Sequence, residues 1–99
     1  MWRMGTRKEI GIDTAVSQAT GIVVADMDGE KAMLNIEQGK YYGLDGIGSR
    51  IWELIDSPRT VREVVAVLLN EYEVDEKNCQ QDVVVFLKTL HAQGLVDFD

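Results

Sequence analysis

Cys79 and His91 are the only cysteine and the only histidine of the chain. A Cys–His nucleophile pair would have to be built from these two, with the imidazole within hydrogen-bond reach of the thiol. They stand twelve positions apart in one helix-patterned stretch, so about 18 Å separates them along the axis. They cannot touch. Cys79 reads instead as a small buried hydrophobe and His91 as an ordinary helix residue. One cysteine also rules out an internal disulfide framework and a thiolate zinc cluster. Seventeen Asp and Glu residues make close pairs inevitable, such as Asp26/Asp28 and Glu71/Glu73. In turns and on helix rims such pairs are solvated. Gly43-Leu44-Asp45-Gly46-Ile47-Gly48 puts glycines ahead of a helix. It lacks the Gly-Lys-Ser/Thr ending of a phosphate loop and the spacing of a dinucleotide fingerprint, so it reads as a strand-to-helix turn with a small residue at a packing contact. No serine lies near the one histidine in sequence, and no Ser-His-Asp set stands out. The expectation is a chain that is not an enzyme, with no catalytic residue, no metal site and no cofactor.

Charge narrows the partners. The formal net charge is −7, and the ten lysines and arginines are scattered rather than gathered in a stripe. A nucleic-acid binder must neutralise phosphates, so this balance argues against DNA or RNA and favours a cationic or neutral partner. No run approaches the roughly 18 apolar residues of a membrane span. The basic N-terminus is followed by no apolar block and no cleavage site, so no signal peptide is expected and the protein reads as cytoplasmic. Ninety-nine residues suffice for one domain with a modest core.

The elements that would position a site follow from the hydrophobic period. Residues 1–14 show no period and read as a loose arm, with room for a short strand around Ala15–Gln18 ahead of a domain spanning 15–99. Residues 21–45 read as a three-stranded meander. Ile22-Val23-Val24-Ala25 is β-branched and runs into the turn signal Asp26-Met27-Asp28-Gly29. Ala32, Leu34 and Ile36 alternate with Met33 and Asn35 as in a half-buried strand. Gly39 can take a positive φ in the next turn, and Lys40–Leu44 is the third strand. From Asp45 the period is helical. Asp45 caps a helix over 46–55 with Ile47, Ile51, Trp52 and Leu54/Ile55 on one stripe. Thr60 and Glu63 form a capping box for a helix carrying Val61, Val64, Val65, Leu68, Leu69 and Tyr72. Asp75 caps a third helix running to about Gln93, with Gly94 as its left-handed stop, and 95–98 is a short extended tail. Strands followed by helices predict an α+β, winged-helix-like fold: a three-stranded antiparallel sheet followed by three helices.

Two surfaces in this plan could bind something. On a wheel of the third helix, Cys79, Val83, Phe86, Leu87 and Leu90 share one arc, the core. Asp82, Val85, Thr89 and Ala92 form a second strip, suited to another contact or to packing on the domain's own sheet. The third strand is the other surface. Tyr41 and Tyr42 point to opposite faces, and only Lys40 and Asp45 guard what would be a sheet edge. Such an edge invites strand addition by a guest peptide, unless the N-terminal arm or a second copy covers it.

The run Gly39-Lys40-Tyr41-Tyr42-Gly43-Leu44-Asp45, then Gly48 and Ile51-Trp52-Glu53-Leu54-Ile55, resembles the PqqD family. So do Thr60-Val61, Glu71-Tyr72-Glu73-Val74, Asp82-Val83-Val84-Val85-Phe86-Leu87, Leu90 and Gly94-Leu95-Val96. The resemblance spans about residues 20–98. It implies a recognition element for ribosomally made, post-translationally modified peptides, which binds the leader of a precursor peptide as a strand beside the third strand and against the third helix. Carried onto this chain, it implies Lys40, Tyr41, Tyr42, Gly43 and Leu44 on one wall, and Asp82, Val85, Phe86 and Thr89 on the other. A free-standing copy resembles the lasso-peptide type, whose implied partners are a leader peptidase and a cyclase. The nearest alternative is an adaptor for a radical maturase, as in pyrroloquinoline quinone synthesis. The net charge suits a leader with lysine or arginine, with Asp82 as one counter-charge. A winged-helix DNA-binding regulator shares the coarse architecture, but a helix reading Asp82-Val83-Val84-Val85-Phe86-Leu87 offers no side chains suited to base edges.

Overall fold

The computed structural model describes residues 10–28 and 30–98. Strands β2 (Ile22–Met27), β3 (Glu30–Asn35) and β4 (Lys40–Leu44) form an antiparallel sheet in that order. Helices α1 (Gly46–Leu54), α2 (Val61–Glu71) and α3 (Glu76–Ala92) follow, giving the expected α+β architecture. A second antiparallel sheet sets β1 (Ala15–Gln18) between β5 (Arg59–Thr60) and β6 (Val96–Phe98). It draws together the start of the domain, the link into α2 and the C-terminal tail. Val16, Leu95 and Val96, each at most 1% exposed, join the core there. The sequence marks the tail as extended but gives no sign of its partner, because pairing between distant short strands leaves no local pattern.

The arm expected over residues 1–14 divides. Residues 1–9 lie outside the described residues. Ile10 is buried, the Ile12 carbonyl accepts from the Arg62 amide at 2.8 Å, and the Thr14 carbonyl accepts from the Val61 amide at 3.2 Å. Residues 10–14 thus occupy two of the first amides of α2, which have no partner within the helix.

The helices begin and end where capping chemistry puts them. Asp45 accepts from the Gly48 amide, Thr60 and Glu63 form the reciprocal capping box, and Asp75 accepts from the Asn78 amide. Gly94 (φ +76°) closes α3. Its amide donates to His91 and that of Leu95 to Leu90, which satisfies two of the last carbonyls.

The alternation expected in β3 is present, with Met33 (0% exposed) and Asn35 (6%) buried and Leu34 (37%) and Ile36 (62%) facing out; the small Ala32 (6%) is buried as well. Both phases of this strand carry apolar residues, so alternation does not fix which face turns inward. Asn35 is buried because it closes the turn: its side chain accepts from the Gln38 amide and its carbonyl from the Gly39 amide. Met33 joins Ile51, Trp52, Ile55, Val64, Leu68, Val83 and Leu87 in one core under the sheet.

Candidate functional site

β4 ends its sheet; no strand among the described residues pairs with its outer side. The orientation of its main chain follows from Ser49, a buried residue of α1. Its hydroxyl accepts from the Lys31 amide (2.9 Å) and donates to the Leu44 carbonyl (3.4 Å). Ser49 bridges β3 to β4 where Lys31 faces Leu44 in the register, so the Lys31 amide is turned toward β4. Amide direction alternates along a strand. Met33 is therefore turned the same way, and its partner Tyr42 engages β3. The main-chain groups of Tyr41 and Gly43 point off the open edge.

The side chains of β4 divide between two faces. Tyr42, opposite Met33, is half-buried against the core. Tyr41, opposite Leu34, is 67% exposed on the outer face. Lys40 is exposed at the strand's start, and Leu44 is buried at its end.

Beside the end of β4 lies a cleft of about 590 Å³ between the first turns of α1 and α3. Gly43, Leu44, Asp82 and Phe86 all line it, so the structure brings these four expected residues together. Phe86 reaches across to α1, where its ring lies against Gly48. Val85 and Thr89 are not among the lining residues. Val85, a quarter-turn from Phe86 at about 100° per residue, borders a separate hollow with Ile12 and Val61. Thr89 is exposed and its hydroxyl donates to the Val85 carbonyl at 3.0 Å.

The cleft also uses residues not anticipated as binding groups. Ile47 (45% exposed), Tyr72 (37%) and Val74 (43%) open into it. Ile47 and Tyr72 fit the apolar stripes of their helices, so their patterns marked them as core. The usable signal was position: Ile47 sits in the first turn after an edge strand, and Tyr72 and Val74 flank a loop. Cys79 lines the cleft from the α3 side. Burial, and then the negative charge of Asp82, push its thiol above the ordinary cysteine value, which disfavours the thiolate. Among the described residues no group of three or more His, Cys, Asp or Glu could hold a metal ion, and no helix is long and apolar enough to cross a membrane.

Fold and site together define a small winged-helix-like α+β domain with an open strand edge beside an apolar cleft. The family described as Coenzyme PQQ synthesis protein D (PqqD) matches residues 30–96, and the chain belongs to that family. Among solved structures it is similar to one described as TbiB1 in complex with the TbiA(beta) leader peptide. The identity is 33% and the TM-score 0.77, covering 82% of this chain and 94% of that one. It also shares the fold of lasso peptide synthetase B1 complexed with the leader peptide, at 22% identity and TM-score 0.75, covering 83% of this chain and 96% of that one. No curated protein matches the chain.

Proposed function

We propose that this chain binds the leader segment of a ribosomally made precursor peptide and presents it to processing enzymes, a leader peptidase and a cyclase, in lasso-peptide biosynthesis. It acts as an adaptor in the cytoplasm rather than as a catalyst. The observation that carries this reading is the open edge of β4 running into the apolar cleft. A guest strand beside β4 would meet the outward main-chain groups of Tyr41 and Gly43, which supply sequence-independent affinity. Its side chains would meet the cleft wall of Leu44, Ile47, Asp82 and Phe86, which supplies choice. The two similar structures, both described as leader-peptide complexes, support it.

The test is a fluorescence-anisotropy titration with labelled leaders of short precursor peptides encoded beside this chain, and with the TbiA(beta) leader as a further probe. Saturable binding to a neighbouring leader, lost in Gly43→Pro with the circular dichroism spectrum unchanged, is expected. If the neighbouring leaders fail to bind, or Gly43→Pro binds as wild type does, the strand-addition reading is wrong.

A further inference from the structure

The chemistry of the guest can be read from the lip of the same cleft, on the footing that β4 and the cleft form a peptide groove. The floor is apolar: Leu44, Ile51, Leu68 and Val83 are buried there. The lip is not neutral. Asp45, Asp75 and Asp82 border it, and among the described residues no lysine, arginine or histidine does. Asp45 and Asp75 each commit one oxygen to a helix-start amide, Gly48 at 2.7 Å and Asn78 at 3.0 Å. Asp82 is exposed and joins none of the ion pairs among the described residues. The lysines of α3, Lys77 and Lys88, stand about 140° and about 120° around the helix from Asp82. The helix therefore turns Asp82 toward the cleft and its two lysines away from it.

An acidic peptide or a phosphate chain would be repelled at this lip. A purely apolar strand would strip water from the carboxylates and return nothing. We propose that the guest carries a lysine or arginine beside the apolar side chain that enters the cleft, with its cation set against Asp82 and flanked by Asp45 and Asp75. This pairing acts on register more than on affinity. Main-chain pairing alone tolerates slippage, whereas an apolar side chain over the floor and a cation at the lip agree in only one frame.

The experiment is selection from a displayed library of random peptides against wild type, Asp82→Lys and the edge-blocked Gly43→Pro. Asp82 caps no helix and joins no ion pair among the described residues, so its reversal is expected to leave the fold intact. Wild type is expected to enrich peptides with a large apolar residue and a lysine or arginine within two positions. Asp82→Lys is expected to lose that basic preference or to replace it with Asp or Glu. Changing the basic residue of an enriched peptide to glutamine should weaken binding about two- to fivefold, and the difference should shrink as salt rises from about 0.05 M to about 0.5 M. If wild type and Asp82→Lys enrich the same peptides without a basic preference, the proposal is overturned while the groove reading stands. If nothing enriched depends on an intact Gly43, the groove reading falls and takes the proposal with it.

Discussion

Gly48 and Phe86 are in contact across the cleft: a Cβ on Gly48 would lie 3.1 Å from Phe86 Cζ and 3.0 Å from Asp45 Oδ1. Alanine in a helix is ordinarily worth about 1 kcal/mol over glycine. Here the added methyl would press on a half-buried ring that lines the cleft. The two effects separate in Gly48→Ala. Thermal stability should change by less than about 1 kcal/mol, because the propensity gain offsets the crowding. Leader binding should weaken about fivefold or more, because the displaced ring occupies guest space. Calorimetric unfolding and an anisotropy titration on one preparation check both halves. Unchanged affinity would mean that α1 and α3 part without closing the cleft.

Tyr41 and Gly43 turn their main-chain groups outward while Tyr42 is paired with β3, and hydrogen exchange reads that difference directly. Adding a guest strand should slow exchange of the Tyr41 and Gly43 amides, by about 100-fold when free peptide stands at 100 times Kd. The Tyr42 amide should change far less, its protection being set by opening of the sheet itself. Equal slowing at all three positions would point to general stiffening rather than strand addition.

The cleft and the separate hollow give opposite expectations for a pair of exposed positions, Ile47 of α1 and Val85 of α3. Ile47 opens into the cleft, and Val85 (63% exposed) borders the other hollow. Ile47→Ser removes apolar surface that a guest would cover and should weaken leader binding roughly five- to thirtyfold. Val85→Glu places a charge outside the cleft and should shift binding by no more than about twofold. A strong loss in Val85→Glu would move the groove around α3 toward Ile12 and Val61.

Much of this arrangement was legible in the residues. The bounds of β4 and the three helix starts follow from glycine, aspartate and the Thr60/Glu63 pair, whose chemistry is local. The phase of β3 was not legible, because Met33 and Leu34 are equally apolar and the reason for burying Asn35 lies in a turn. The cleft was half legible. Its β4 wall stands out as an unguarded edge, and Asp82 stands out on the helix, while Phe86 reads as core on the wheel and joins the wall only through the family resemblance. Separating Val85 and Thr89 from that wall needed the position of Gly48. Only the close approach of Phe86 to that glycine decides which turn of α3 faces α1. That approach depends on three elements at once, and no window of sequence contains it.

The scaffold behind the cleft has an acid-sensitive tie. Arg50 of α1 meets Glu71 at the end of α2, with Nη2 at 2.7 Å from Oε2 and Nε at 2.9 Å from Oε1. Hydrogen bonding to Arg50 is the main cause holding the Glu71 carboxyl below its ordinary value, against a smaller opposing effect of burial. A carboxyl lowered in the folded state stabilises the fold above its unfolded value. That contribution fades as pH falls through the ordinary glutamate range and is gone below the lowered one. Glu71→Gln should therefore melt below wild type at neutral pH, and the two curves should converge on acidification. Thermal melts of the two proteins across the acid range decide it. A gap between Glu71→Gln and wild type that persists at the acid end would assign the loss to packing rather than to charge.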